Sequence, residues 1–315
     1  MIIIISESLD KSTENVIDWI EHYGSSSIRK NYECDFQNFF YSISSKKIEN
    51  TFIKNVVWNR RGYLSIIPNK LKNTDWFSYL NKEQLPVLFA FEYGEKSNFI
   101  GSYKKEIHNN KIINLQIALD VGFKIPETFI TNNKTDLIRF VDKSKIYITK
   151  SLFQSPNIKI ENLVYSGVGT NILNMNSVSE FFAPSLVQEY IEKEIEIRIF
   201  FIKKSYYAMA IFSQSDEKTK IDFRNYNEDR PNRSIPFILP PKILLKIKTF
   251  IKKMKLDTGS IDLILTPEGE YFFLEINPMG QYDWLSKDCN YYIDKKIAEI
   301  LITEDIKNIK KDKLI

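Results

Sequence analysis

The first third of the chain combines a short apolar run with an amphipathic segment. Four consecutive isoleucines, Ile2 to Ile5, are typical of a buried strand. Apolar residues at helical spacing then follow from Ser12 to Tyr23, and Asp10 is a candidate cap for this helix. This strand and helix predict an N-terminal α/β lobe, which we place at residues 1–105.

From residue 106 the pattern predicts a smaller lobe of mixed helices and strands. Residues 106–187 are expected to form a central α+β lobe. The spacing Ser177 to Glu180 matches a helix-capping box and predicts a helix from Ser177. The other predicted elements are a helix from Lys111 to Val121, an extended segment from Ile125 to Ile130, a helix from Thr135 to Val141 and a strand from Lys145 to Lys150.

Two hairpins dominate the last predicted lobe, residues 188–303, which is expected to be an antiparallel sheet. The sequence predicts one hairpin from Ile195 to Gln214 and another from Ser260 to Asn277, each with a turn in the middle. The segment from Ile243 to Leu256 has a helical apolar stripe, and its lysines form either a solvated face, which we favour, or a nucleic-acid patch. Residues 304–315 are predicted to be a charged tail.

Composition and charge narrow the functional class. The 315 residues are 43% hydrophobic, and 44 basic against 40 acidic side chains leave a net charge of only +4. So small a charge gives no basis for a nucleic-acid partner. The apolar start from Met1 to Ile5 is far shorter than the about 20 residues of a membrane span. We therefore expect a protein that binds neither nucleic acid nor membrane, and its two isolated cysteines, Cys34 and Cys289, indicate a reducing cytoplasm.

The few cysteines and histidines exclude several kinds of site. Cys34 and Cys289 lack the spacing of a zinc site or a disulfide framework. His22 and His108 have no plausible nucleophile beside them for a catalytic triad. Carboxylate, lysine and arginine side chains must therefore carry the chemistry.

The second hairpin carries the clearest candidate site. If its strands pair symmetrically about the turn, Asp262 lies opposite Phe273 and diagonal to Glu275, with Cβ atoms about 7 Å apart. Glu275 and Asn277 point to the same side of their strand. Three oxygen side chains on one face suit Mg²⁺, with phosphate oxygens and water completing its shell. The alternative is that these residues form an ordinary solvated sheet face.

These residues resemble a known family, the ATP-grasp ligases, over residues 105 to 300. Asp262 followed by Phe273 to Pro278 resembles the paired-magnesium signature of that superfamily, and Met279 to Trp284 is similar to its branch of ribosomal-peptide maturases, which make microviridins and other graspetides. The resemblance implies an ATP-grasp fold with ATP between the last two lobes. It also implies two Mg²⁺ ions, held by Asp262, Glu275 and Asn277.

The resemblance assigns further positions to nucleotide binding. Lys111 and Lys150 match lysines that contact ATP phosphates, although either could be a surface lysine. Glu194 is a candidate for the ribose hydroxyls, with a solvated glutamate as the alternative. Ser166 to Thr170 resembles a phosphate-covering loop, and an ordinary turn is the alternative. The residues that match the adenine-binding linker are Gln188, Glu189, Tyr190 and Ile191.

Two arginines are assigned to the reacting groups. Arg198 and Arg224 resemble arginines that neutralise the transferring phosphoryl group and steady the acyl phosphate. The alternative for Arg198 is a salt bridge to a carboxylate on the neighbouring strand. No general base is evident for the second step, and Asp222 and Asp283 both stay open for that role.

The resemblance implies a reaction and a partner. An Asp or Glu side chain of a ribosomally made precursor peptide is phosphorylated by ATP, and a Ser or Thr hydroxyl or a Lys amine then forms an ω-ester or ω-amide crosslink. The alternatives are a ligase that adds amino acids to a peptide tail or joins small metabolites, and a nucleotide-binding scaffold without turnover. The expected partner is a leader-bearing precursor peptide, with a homodimer as a candidate oligomeric state.

Overall fold

The computed structural model describes residues 1–33, 37–45, 48–52, 54–93, 98–153, 157–160, 163–166, 169–225 and 227–312. Its N-terminal lobe is a parallel sheet with flanking helices, in which the described strands follow the order β2-β1-β5-β6. Asp10 caps the first helix by accepting from the amides of Ser12 and Thr13. The elements are β1 (Ile2–Ser6), α1 (Lys11–His22), β2 (Ser27–Asn31), β3 (Tyr41–Ile43), β4 (Ile48–Asn50), β5 (Val56–Asn59), α2 (Asn69–Lys72), α3 (Phe77–Phe91), β6 (Phe99–Ile100) and α4 (Tyr103–Ile107).

The central lobe is an antiparallel sheet with strand order β11-β8-β12-β7 among the described residues. Its elements are α5 (Lys111–Asp120), β7 (Thr128–Asn133), α6 (Lys134–Phe140), β8 (Tyr147–Lys150), β9 (Asn157–Ile160), β10 (Leu163–Ser166), β11 (Asn171–Ile172) and β12 (Phe181–Glu189). The strands β9 and β10 pair with each other.

The helix predicted from Ser177 is wrong. Only the short 3₁₀ turn Met175–Ser177 is helical there, and β12 begins at Phe181. Paired phenylalanines favour a strand, and Pro184 would remove a backbone donor from a helix. Because β12 runs to Glu189, it also crosses the predicted lobe boundary after residue 187.

The C-terminal lobe is an antiparallel sheet with strand order β15-β14-β13-β16-β17. Both predicted hairpins are confirmed. Residues 304–312 are not a separate tail, because they continue the last helix, and Asp305 pairs with the N-terminal amino group of Met1. The elements are β13 (Ile195–Ile202), β14 (Ser205–Ile211), β15 (Ser234–Pro236), α7 (Pro241–Met254), β16 (Thr258–Leu265), β17 (Tyr271–Asn277), α8 (Asp283–Asp288) and α9 (Ile293–Asp312).

Strand β13 is the centre of the molecule, and all eight of its residues are buried. Its odd-numbered side chains, such as Ile197 and Ile199, pack with α5 and α7. On the opposite face, Phe200 and Ile202 join a core that also contains β1, α1 and α9, so the N- and C-terminal lobes share one hydrophobic core. Glu196 and Arg198 lie on that same face but are charged, so they need polar partners.

The described residues of the central lobe form a hydrophobic cluster of their own. Its fully buried members are Leu137, Tyr147 and Val187.

No helix in the described ranges is both long and apolar enough to cross a membrane. Cys289 is a free, buried cysteine, while Cys34 lies outside the described residues.

Candidate active site

Three charged side chains form a row across the C-terminal sheet. In the register of the sheet, Arg198 pairs with Asp262, and Asp262 pairs with Glu275. The prediction that Asp262 faces Phe273 is wrong, because a β-bulge at Leu274 shifts the register and Phe273 faces Leu263. The bulge adds one residue to β17 and brings the two carboxylates directly opposite each other. They are therefore closer than the diagonal arrangement would allow.

Asn277 lies two residues beyond Glu275 on the same face, paired with Ser260. Its side-chain oxygen accepts from the backbone amide of Met279 at 3.0 Å and from that of Gly280 at 3.4 Å. Asn277 therefore shapes the turn after β17, and a bound ion would share its amide oxygen with these amides.

The donor set fits Mg²⁺. Asp262, Glu275 and Asn277 offer two carboxylates and one amide oxygen, which are hard ligands of the kind that Mg²⁺ prefers. The described residues contain no cluster of three or more His, Cys, Asp or Glu side chains that could hold a metal by itself. The set is thus suited to an ion that is also bound by nucleotide phosphates and water.

Arginine and lysine side chains surround these two carboxylates. Arg198 Nη1 donates to both oxygens of Asp262, at 2.9 and 2.7 Å, so the salt bridge considered as the alternative for Arg198 is present. Burial raises the pKa of Asp262, with the Glu275 carboxylate adding to the rise and Arg198 opposing it. Burial would also raise the pKa of Glu275, but Lys150, Lys111 and Arg224 outweigh it and lower that pKa.

Both predicted phosphate-binding lysines reach this site. Lys111 Nζ lies 3.8 Å from Glu275 Oε2 and donates to the Ser151 carbonyl oxygen at 2.8 Å, which ties it to the central lobe. Lys150 ends β8, and burial lowers its pKa while Glu275 opposes that effect. Two lysines converging on a carboxylate between two lobes make a site that suits phosphate.

Arg224 is held in place by Asp222. Its Nε and Nη2 atoms donate to the two oxygens of Asp222 at 2.8 and 2.6 Å, and Arg224 Nη1 lies 3.9 Å from Glu275 Oε1. Asp222 also accepts from Thr170 Oγ1 at 2.9 Å. Thr170 closes the predicted phosphate-covering loop, of which residues 167 and 168 lie outside the described part of the chain. Although burial opposes it, Arg224 lowers the pKa of Asp222 to about 2, so Asp222 is a weak proton acceptor.

The predicted adenine-binding residues line a narrow cleft between the central and C-terminal lobes. Gln188 is buried, and its Nε2 atom donates to Thr128 Oγ1 at 2.8 Å. Within the described part of the chain, its Oε1 atom has no hydrogen-bond partner. The cleft holds about 60 Å³, whereas ligand pockets usually span about 300–1,000 Å³, so it is narrower in this structure than a bound nucleotide needs. The linker residues along the cleft are Gln188, Glu189, Tyr190 and Ile191.

Glu194 is not brought to this cleft. Its side chain is exposed, its backbone amide pairs with the Leu265 carbonyl oxygen, and it is absent from the described residues that line the cleft. The ribose role of Glu194 therefore has no support from the structure.

Sequence reasoning missed a buried polar cluster at the back of the cleft. Lys193 Nζ donates to Glu196 at 2.7 Å and to the Ile221 carbonyl oxygen at 3.0 Å, and Ser213 donates to Glu196 at 2.8 Å. Through the carbonyl oxygen of Ile221, the cluster holds the backbone next to Asp222. Glu196 was recognisable because it and Arg198 are the charged residues of an otherwise apolar strand.

Leu274 was also missed. As the extra residue of the bulge it lines the cleft, with Ile148 and Ile264 as apolar neighbours. Such side chains can pack against a purine ring. The symmetric register assumed for the hairpin hid this role.

Comparison with solved structures reveals full-length relatives. A RiPP-associated ATP-grasp ligase of Chryseobacterium gregarium, solved with ADP and a leader and core peptide, is 28% identical, with a TM-score of 0.80 and 96% of each chain covered. The macrocyclase MdnC of Microcystis aeruginosa, solved with precursor peptide MdnA, is 25% identical, with a TM-score of 0.74 and coverage of 96% of this chain and 99% of that one.

Two further matches are more distant or cover less of the chain. The ATP-grasp ligase PsnB, complexed with minimal precursor, Mg and ADP, shares the fold at 15% identity, with a TM-score of 0.69. The match covers 96% of this chain and 97% of that one. An uncharacterised protein of Methanocaldococcus jannaschii is 34% identical over 98 residues, which are 30% of this chain and only 24% of that relative.

The family itself is established by sequence. The pattern of the RimK-like ATP-grasp domain matches residues 108–301, which is more than half of the chain. The predicted ATP-grasp fold and the predicted class of ATP-dependent ligase are thereby confirmed. The chain belongs to the family of RimK-like ATP-grasp proteins.

Proposed function

We propose that this enzyme uses ATP and Mg²⁺ to crosslink side chains within a ribosomally made precursor peptide. The observation that carries the proposal is a cavity of about 700 Å³ that opens directly onto Glu275, Lys111, Lys150 and Arg224. Such a volume suits a peptide segment. Support also comes from the Chryseobacterium gregarium ligase, which matches over 96% of its length and was solved with a leader and core peptide.

In the first step, a side-chain carboxylate of the peptide attacks the γ-phosphorus of ATP, so that ADP leaves and an acyl phosphate forms. Mg²⁺ held by Asp262, Glu275 and Asn277 would neutralise charge on the phosphates. Lys111 and Lys150 orient the phosphate groups from the central-lobe side. Arg224, aligned by Asp222, and Arg198 stabilise the charge on the transferring group.

In the second step, a hydroxyl or amine of the same peptide attacks the acyl carbon, and phosphate leaves. Binding both reacting side chains in one cavity makes this step effectively intramolecular, which lowers the entropic part of the barrier. Closure of the central lobe over the site excludes water, which would otherwise hydrolyse the acyl phosphate.

Mass spectrometry tests the proposal. The probe is a precursor peptide encoded beside this chain, with its leader and a core rich in Ser or Thr and Asp or Glu. With ATP and Mg²⁺, each link should make the peptide lighter by one water. Phosphate release with a free amino acid and an unchanged peptide mass would instead favour an amino-acid ligase. The absence of ATP consumption with any acid would favour a nucleotide-binding scaffold.

A substitution tests the metal site within this proposal. Glu275→Gln removes a carboxylate charge and should abolish ADP formation while the circular dichroism spectrum stays unchanged. Near-normal turnover would refute the metal assignment. The lobe boundaries, the cytoplasmic location and the homodimer stay predictions.

A further inference from the structure

The cavity that serves the second step extends from the phosphoryl-transfer site to the N-terminal lobe. Glu275, Lys111 and Arg224 form one end. The attacking side chain of the peptide must approach the acyl phosphate from within this cavity, so a residue that accepts its proton should lie on the cavity wall. The part of the wall that the N-terminal lobe contributes is rich in arginines and tyrosines: Arg60, Arg61, Tyr32, Tyr63 and Tyr103.

Among the described residues, the acidic side chains on this wall are Glu7, Glu106 and Glu275. Glu275 belongs to the metal site, and Glu7 lies 3.2 Å from Arg61 Nε in an ion pair. In the described part of the chain, no hydrogen bond or ion pair within 4 Å holds the carboxylate of Glu106. Glu106 is thus the acidic group on this wall that is free to bind a substrate proton.

The backbone around Glu106 is fixed to the strand of the metal ligands. Asn109 Nδ2 donates to the Ile276 carbonyl oxygen at 2.9 Å, between Glu275 and Asn277 in the sequence. At the other end of α4, the Glu92 carboxylate accepts from the amide of Tyr103 at 2.8 Å. Both ends of this short helix are therefore tied down, and Glu106 projects from a defined position.

The surroundings of Glu106 tune its affinity for protons. Burial raises its pKa to about 7, with Glu92 adding to the rise and Arg61 and Arg60 opposing it. A general base works best when its pKa lies near the working pH, since it then both accepts and releases a proton readily. Asp222, with its pKa of about 2, lacks this property.

We propose that Glu106 is the catalytic base of the second step, an inference that rests on the proposed function. As the hydroxyl oxygen or amine nitrogen of the peptide bonds to the acyl carbon, the Glu106 carboxylate accepts its proton. The bond from that carbon to the phosphate oxygen then breaks, and phosphate leaves with the electron pair. Water takes the proton from Glu106 and restores the carboxylate.

Hydroxylamine separates the two steps experimentally, because it is nucleophilic without a base and traps the acyl phosphate as a hydroxamate. The full-length enzyme is assayed with the precursor peptide, ATP and Mg²⁺, with and without hydroxylamine. Glu106→Gln should keep hydroxamate formation within about threefold of the native rate, while crosslinking slows about 100-fold or more. The crosslinking rate of the native enzyme should rise as the pH approaches 7, and that of the variant should not.

The matched control is Glu14→Gln, which removes an exposed carboxylate of the same lobe, one that is paired with Arg29 and is not among the described residues that line the cavity. It should crosslink at the native rate, and thermal melting should confirm that both variants fold. Crosslinking by Glu106→Gln within about threefold of native, or an equal loss of hydroxamate and crosslink, would overturn the role of Glu106. If the native enzyme forms hydroxamate but no crosslink, the proposed function fails, and this inference fails with it.

Discussion

Replacing Arg198 by methionine leaves the carboxylate of Asp262 buried without its ion-pair partner. The two side chains are only 9% and 13% exposed, and Arg198 donates to both carboxylate oxygens. Removing one partner from such a buried pair costs about 3–5 kcal/mol. Since the free energy of unfolding of a domain is about 5–15 kcal/mol, this loss would be a large share of the total stability.

Urea unfolding in the presence of a metal chelator measures this loss. Arg198→Met should lower the free energy of unfolding by about 3–5 kcal/mol. The double variant Arg198→Met with Asp262→Asn should recover about 2 kcal/mol, because no uncompensated charge is then buried. A loss below about 1 kcal/mol for the single variant, or a further loss in the double variant, would refute the claim that Asp262 is buried and charged.

Three further substitutions test separate features. Leu274→Ala should raise the KM for ATP about tenfold with little change in kcat, since the bulged side chain lines the nucleotide cleft; an unchanged KM would argue against that contact. Gly280→Ala should cost about 1–3 kcal/mol in unfolding experiments, because Gly280 has a φ of +62° and a Cβ would lie 2.8 Å from the carbonyl carbon of Gly259. The pKa of Glu106 is raised from 4.5 to about 7, so the folded protein binds this proton more tightly than the unfolded chain does. The melting temperature of the native enzyme should therefore fall relative to that of Glu106→Gln as the pH rises from 4.5 to about 7. A difference in melting temperature that does not change with pH would contradict the raised pKa.

Much of the C-terminal lobe could be predicted from sequence. Both hairpins have long strands of β-branched and aromatic residues with a turn between them, and this pattern is the sequence signal of a hairpin. The proposed metal ligands stood out as oxygen side chains in apolar strands. The bulge at Leu274 could not be predicted, because a one-residue register shift depends on packing across the whole sheet.

Other features depend on contacts between distant segments. The capping-box pattern at Ser177 was misleading, because pairing of β12 with β7 and β8 outweighed a local helix signal. Glu106 lies in a stretch with no motif, and only the fold places it on the cavity wall. Part of the lysine-rich face of α7 forms ion pairs with the central lobe, as Lys253 does with Asp120 on α5.

Isotope transfer tests the central claim most directly. A precursor peptide is prepared with heavy oxygen in the side-chain carboxylates of its Asp and Glu residues, and the phosphate released during crosslinking is analysed by mass spectrometry. If the carboxylate is activated as an acyl phosphate, each link should transfer one labelled oxygen atom to phosphate. Crosslinks that form while the released phosphate stays unlabelled would contradict this account.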